Sequence, residues 1–297
     1  MLCEALVRLA VLEPLPHFRY VGLGGISFKD FALFHQRLGI TDMVSIEGET
    51  QDIERIRFNK PYSCIRMRWG KSPDILPTLG WPKRAIVWLD YDEALDEEKL
   101  EDLELVVSSV KSGSVIVVTV DAEDRVERGP TMPAARMERV RELIGEERIP
   151  RETDGTQLAG WGLADLWRKV VDGQIRSSLG DRNRPEPENR RLAYRQLFNF
   201  HYADNARMLT VGGYIASPDD SRKLGASGFE DLDYVCGGEE ACLIEVPVLT
   251  WREALHLDRS LPSSAPRVSA PVWLPQVERR RYGRVYRYFP TYLEAEI

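Results

Sequence analysis

Three short stretches of this chain combine residue types that can hold a ligand and act on it. The turn Gly22-Leu23-Gly24-Gly25 follows an apolar run, Glu47 closes a second run, and Asp90-Tyr91-Asp92 closes a third. Glycines without Cβ atoms let backbone come into contact with a ligand. An acid about twenty-five residues after the first glycine can accept hydrogen bonds from ribose hydroxyls. A strand, a Gly-x-Gly turn, a helix and a second strand ending on a carboxylate form the arrangement by which doubly wound sheets bind adenosine-type ligands. A carboxylate such as Asp90, placed directly after a fully apolar strand, can take a proton from a hydroxyl or orient an amine. Tyr91 can stack on a ligand or wall the cleft, and Asp92 reads as solvated or structural.

These residues act together only if the chain brings the ends of separate strands to one place. The first 121 residues alternate strand and helix patterns. Strands are expected at 18–23, 42–46, 62–68, 85–89 and 114–120. Helices are expected after Ser27, over 51–58 and over 97–111. Ser27 reads as the N-cap of the first, with Phe31, Phe34 and Leu38 at helical spacing and Gly39 as its stop. The first, fourth and fifth strands are continuous apolar runs, as parallel strands covered on both faces require. Helical patterns at 133–145 and 158–175 then interrupt the rhythm, with Trp161 and Trp167 read as core. Residues 176–189 are polar and proline-bearing and read as a loop. Runs at 195–202 and 208–216 flank the turn residues 203–207 and read as an antiparallel hairpin. A further apolar run covers 242–249, Thr250 and Glu253 form a capping-box pattern, and 261–275 reads as a linker. The fold class is α/β: a doubly wound, seven-stranded, mostly parallel sheet with a C-terminal antiparallel hairpin and a helical insertion. Residues 1–121 would form the ligand-binding half, 122–191 the insertion, 192–257 the rest of the sheet, and 258–297 a linker and a basic, aromatic tail.

Composition narrows the function classes. In 297 residues, 43 % hydrophobic and 29 % charged, there is material for one large domain or two modest ones. No run of eighteen apolar residues exists, so no membrane helix is expected, and the N-terminus lacks a signal-peptide pattern. The four cysteines are scattered, which suggests reduced thiols and a cytoplasmic protein. The four histidines have no zinc-like spacing, so no metal is expected, and His201 reads as a packed or surface side chain. A net charge of −7 argues against attraction to nucleic acid across the whole surface. The interleaved arginines and aromatics of 278–289 read as an edge strand or docking strip rather than a nucleic-acid contact.

On Val21-Gly22-Leu23-Gly24-Gly25, Glu47, Leu89-Asp90-Tyr91-Asp92 and the late hairpin, the chain resembles the class I S-adenosylmethionine-dependent methyltransferases over about residues 16–121 and 192–250. The resemblance implies S-adenosylmethionine as cofactor. Gly22, Gly24 and Gly25 would pass its methionine part, Glu47 would hold the ribose, and Asp90 would border the methyl donor. Asp90 and Tyr91 would be the catalytic pair, acting on a small-molecule or protein acceptor. The chain departs from the family pattern in three places. Tyr20 stands where the family usually carries an acid two positions before the first glycine. Ile26 stands where a third glycine is common, and Trp69-Gly70-Lys71-Ser72 lacks an acid. These departures motivate an alternative, a catalytically silent subunit that binds a protein partner through residues 122–191 and the tail. A nicotinamide-dependent oxidoreductase fits less well, because Ser27 replaces the third glycine of that fingerprint and the last strand pair is antiparallel.

Overall fold

The apolar runs become strands of one mixed sheet in the computed structural model, which describes residues 1–48, 52–123, 132–262 and 273–289. In chain order the elements begin with α1 (Leu2–Leu6), β1 (Arg19–Leu23), α2 (Lys29–Leu38), β2 (Asp42–Glu47), α3 (Ile53–Asn59) and β3 (Ile65–Trp69). Then follow α4 (Ser72–Ile75), β4 (Ala85–Ala94), α5 (Glu97–Ser109), β5 (Ser114–Asp121), α6 (Met132–Ile144) and α7 (Gly162–Asn183). The chain continues through β6 (Ala193–Asp204), β7 (Ala206–Ala216), α8 (Pro218–Gly225), β8 (Cys242–Ile244), α9 (Trp251–Asp258) and α10 (Gln276–Val285).

The strand order is β3-β2-β1-β4-β5-β7-β6-β8. β1 to β5 pair in parallel, and β7 pairs antiparallel to both β5 and β6. The sheet has eight strands where seven are expected, because the apolar run at 242–249 contributes a separate strand of only three residues. Contacts divide the chain into a unit over Leu2–Cys242 and a second that begins at Leu243 and includes Met1.

β5 is buried at every position, which requires cover on both faces of the sheet. On one face, Val21, Val87 and Leu89 join Leu100 and Leu103 of α5 and Trp167 and Val171 of α7 in a single core. Helix α5 begins where Asp96 accepts a hydrogen bond from the Lys99 backbone N–H at 3.0 Å, with Glu97 and Glu98 in the positive first turn. Helix α7 covers the sheet beside α5 and runs to Asn183, beyond the loop expected from 176. Ile175, Ser178 and Leu179 extend its buried stripe through the polar stretch. On the opposite face Tyr20 packs edge-on against Phe31 and Phe34 of α2, each at 4.8 Å, and Phe34 stacks on Trp88 at 6.1 Å.

Three local readings are corrected. Helix α2 is entered through Phe28, at φ 47°, and Ser27 does not cap it. Phe28 is 1 % exposed and packs on Phe31 at 5.7 Å, so burial of its ring sets this entry. β4 continues past Leu89 through Asp90, Tyr91 and Asp92, because its pairing with β5 shifts register between Asp90 and Ala94 and then resumes. The basic, aromatic segment is helical in α10, where Tyr282 and Val285 lie buried on one side and Tyr282 joins Ala254, Leu257 and Leu274 in the small core of the second unit. The capping box of Thr250 and Glu253 forms as expected at the start of α9. The expected linker at 261–275 and the end of the tail fall largely outside the described residues.

Trp167 is fully buried and its indole N–H donates to the Asp121 carbonyl at 3.2 Å, fastening α7 to the end of β5. Trp167→Ala should therefore cost about 3–5 kcal/mol of unfolding free energy, measured by urea denaturation followed by circular dichroism.

Candidate functional site

The strand order reverses between β1 and β4: from β1 the chain moves outward to β2 and β3, then returns to β4 on the other side. A crevice outside the carboxyl ends of the strands forms at such a point. The register brings three predicted residues to one level there. Leu23 is opposite Ile46, and the Gly24 N–H donates to the Ile46 carbonyl at 2.6 Å, so Gly24 and Glu47 both lie just past that pair. Gly22 is opposite Trp88, which places Asp90 level with Gly24 on the other flank.

Glu47 lies across the glycine turn. A Cβ added to Gly24 would fall 2.0 Å from the Glu47 carboxyl carbon and 2.0 and 2.1 Å from its oxygens. A side chain at position 24 would have to displace the carboxylate from this place. Glu47 is 3 % exposed, and the Ser45 hydroxyl donates to its Oε1 at 2.6 Å. Desolvation pushes its pKa above the ordinary value, the Ser45 hydrogen bond opposes this, and the field of Asp30 adds to it.

Gly22 has a similar constraint from another pair. A Cβ there would be 2.6 Å from the Tyr20 hydroxyl and 3.2 Å from Asp30 Oδ2. Buried Tyr20 donates a short hydrogen bond to that Asp30 oxygen. Desolvation raises the Asp30 carboxyl, and the Tyr20 bond holds it back in part. Gly25, by contrast, is exposed with open space around the position of a Cβ.

Asp90 keeps an exposed carboxylate, yet enough protein surrounds it for desolvation to push its pKa up to about 6. A Thr119 hydrogen bond lowers it, and Asp30 and Asp92 raise it further. Among the described residues, no lysine or arginine is near enough to pull Asp30, Glu47 or Asp90 down. Beyond Asp90 a polar row crosses the sheet. Trp88 Nε1 donates to Thr119 Oγ1 at 2.9 Å, Thr119 shares a 2.8 Å hydrogen bond with Thr210, and Thr210 lies 3.3 Å from the Tyr202 hydroxyl.

Tyr91 points elsewhere. Its ring packs against the α5 and α7 core, and its hydroxyl donates to Asp102 Oδ2 at 2.7 Å, an oxygen that Ser72 also donates to. The gathered set is thus Gly22, Gly24, Glu47 and Asp90, with Tyr91 on the other side of the sheet. Sequence reasoning missed Asp30, Ser45, Thr119 and Thr210. For Asp30 the available signal was Tyr20, a phenol buried where a carboxylate was expected. For the threonines it was polar positions inside otherwise apolar strands. His201 is buried on the α7 side, stacked on Trp161 at 4.9 Å, with Nε2 3.8 Å from Asp165; desolvation lowers its pKa and it stays neutral.

The family model Methyltransf_35, described as "Putative O-methyltransferase", matches residues 1–297. No curated protein matches the sequence. Similar solved structures include the N-terminal domain of EvdMO1 in the presence of SAH and D-fucose (14 % identity, 71 % of this chain, 82 % of that chain, TM-score 0.38). The O-methyltransferase TomG from Streptomyces achromogenes in complex with SAM is also similar (15 %, 71 %, 79 %, 0.36). So is Trm1 from Pyrococcus horikoshii with S-adenosyl-L-methionine (11 %, 75 %, 57 %, 0.42).

The buried Glu47 carboxylate makes a signed prediction without any ligand. An acid whose folded pKa is raised binds its proton more tightly in the native state, so it weakens the fold as pH rises through and above its unfolded value. Glu47→Gln should raise the melting temperature of the ligand-free protein by about 2 °C at pH 8, and by less at pH 5, in differential scanning fluorimetry.

Proposed function

The chain belongs to the O-methyltransferase family whose model it matches over residues 1–297, and on that premise we propose that it is an S-adenosylmethionine-dependent methyltransferase in which Asp90 accepts the proton of a hydroxyl acceptor while Glu47 and the glycine turn hold the nucleoside. The observation that supports this reading is the meeting of Gly24, Glu47 and Asp90 at one level across three adjacent strands at the switch point. The residues present also fit the group. The turn is open at Gly25, and among the described residues no cation neutralises the surrounding carboxylates, as suits a ligand carrying a sulfonium and an ammonium.

When bound, S-adenosylmethionine supplies a methyl group activated by a positively charged sulfur. The turn of Gly22, Gly24 and Gly25 would pass its methionine part, with Gly25 as its open end. Glu47, held by Ser45, would accept hydrogen bonds from its ribose hydroxyls. Asp90 is ionised above about pH 6 and would take the acceptor's proton on a carboxylate oxygen, with Thr119 fixing that carboxylate. The row of buried Thr119 and Thr210 runs from Asp90 to the Tyr202 hydroxyl and braces that side of the site. Holding acceptor and donor in line would supply most of the acceleration. The acceptor is a small molecule or a protein. Among the described residues no helix is long and apolar enough to cross a membrane, and all four cysteines are free thiols, which supports a cytoplasmic setting.

Two measurements test the reading. Calorimetric titration with S-adenosylhomocysteine should give saturable binding that Glu47→Ala weakens tenfold or more; no binding at millimolar ligand would overturn it. With an acceptor found by screening hydroxylated compounds, kcat/KM should rise with pH and level off above about pH 6, and Asp90→Asn should lower kcat by about 10²–10⁴-fold and abolish that acid limb.

A further inference from the structure

We propose that Asp30, held in place by the Tyr20 hydroxyl, is the residue that binds the cofactor's ammonium group and so supplies the carboxylate missing from position 20. The inference rests on the cofactor reading above and names a residue that neither the glycine motif nor the acid after β2 identifies.

The geometry carries it. Tyr20 is completely buried among Phe31 and Phe34, so its hydroxyl occupies a fixed point beneath the glycine turn. That hydroxyl binds Asp30 Oδ2, and the same oxygen lies 3.2 Å from where a Gly22 Cβ would be. The carboxylate is therefore set against the bare backbone of the turn along which the methionine part would pass. Its position is independent of its place in sequence, because it arrives from the first turn of α2, behind Phe28.

The half-buried Asp30 carboxylate accepts from the Tyr20 hydroxyl and from backbone N–H groups at the start of α2, yet desolvation outweighs those bonds and raises its pKa, and an asparagine could accept the Tyr20 bond without a charge. Asp30 also repels Glu47 and Asp90, raising both. An ammonium bound to Asp30 would remove that repulsion from the whole site at once. A cation in contact with a partly buried carboxylate forms a charge-assisted hydrogen bond, stronger than a neutral one. Tyr20 and the backbone N–H groups of Asp30 and Phe31 take up some of the carboxylate's roughly four acceptor lone pairs and leave room for the ammonium. Tyr20 is thus a positioning residue, and Asp30 is the group that touches the ligand.

Two nucleosides separate this inference from the reading beneath it. S-adenosylhomocysteine carries the ammonium, and 5′-methylthioadenosine keeps the adenine and ribose without it. In calorimetric titrations of the full chain, Asp30→Asn should weaken S-adenosylhomocysteine by about 10- to 100-fold while leaving 5′-methylthioadenosine within about twofold. Glu47→Ala should weaken both. Tyr20→Phe, which frees Asp30 but keeps the ring, should weaken S-adenosylhomocysteine by several-fold and leave 5′-methylthioadenosine unchanged. Asp30→Asn is isosteric, and its melting temperature should be no lower than wild type; if it fails to fold, Tyr20→Phe carries the same comparison. Equal loss of both ligands, or no loss of S-adenosylhomocysteine, would overturn the assignment of Asp30 while leaving the cofactor reading intact. Failure of the wild-type chain to bind either nucleoside would overturn the cofactor reading and this inference with it.

Discussion

A carboxylate resting on a bare α-carbon is the contact on which this site depends. Glu47 occupies the volume that any side chain at position 24 would need, so the acid and the glycine define each other's place. That contact in turn requires β2 and β1 to keep their register, with Leu23 opposite Ile46. A slip of one residue would turn Glu47 to the other face and put Ile46 over the turn, because side chains alternate along a strand. Burial of Val44 and Ile46 in the core shared with Val21 and Val87 forbids the slip, since both would leave that core together. The apolar sheet thus fixes the polar site to within the length of one side chain.

The two faces of the sheet divide the work. The face under α5 and α7 is apolar almost throughout and supplies cohesion. Its buried polar cluster, Tyr91, Ser72 and Asp102, ties the end of β4 and the start of α4 to α5. The face under α2 carries Tyr20, bonded to Asp30, and Trp88, Thr119 and Thr210, partnered with one another, and it opens onto three carboxylates that no cation approaches among the described residues. Desolvated, mutually repelling acids lower the stability of the empty protein. Structures tolerate such a concentration of like charge where a ligand of opposite charge is to be held, and the cost is offset by a core of the size found on the other face.

Much of this could be read from the chain. The parallel strands, the α5 stripe, the hairpin and the capping box at Thr250 each rest on a local pattern that tertiary contacts reinforce. The misreadings have a common cause, which is that local pattern competed with burial and lost. Ser27 is a good N-cap by type, but burying the Phe28 ring sets the helix entry one residue later. Residues 176–183 look like a loop by composition, but Ile175 and Leu179 at helical spacing carry α7 onward. The alternating arginines and aromatics near 282 suit a strand as well as a helix. Contact of Tyr282 with Leu257 and Leu274 selects the helix, and nothing within the segment announces it. Gly22, Gly24, Glu47 and Asp90, which the register brings together at the switch point, each lie at the end of an apolar run. Tyr91 was read with them because it adjoins Asp90, although adjacent strand residues point to opposite faces.

Asp30 shows why a motif and a site are different things. A motif records which positions usually carry a charge, whereas a ligand responds to where the charge is. Tyr20 occupies the motif position and is neutral, and by sequence alone that position carries no charge. In three dimensions its hydroxyl reaches past Gly22 and fixes a carboxylate from the next helix in the same neighbourhood. Gly22 is then required for a second reason besides ligand approach, because its missing Cβ is the space in which phenol and carboxylate meet. The three residues form one unit: a larger residue at 22 would separate the pair, loss of the Tyr20 hydroxyl would release Asp30, and loss of Asp30 would leave a buried phenol without an acceptor. Coupling of that kind ties the charge of the site to the packing beneath it, and a chain can depart from the usual motif at position 20 while the electrostatics of its turn stay the same.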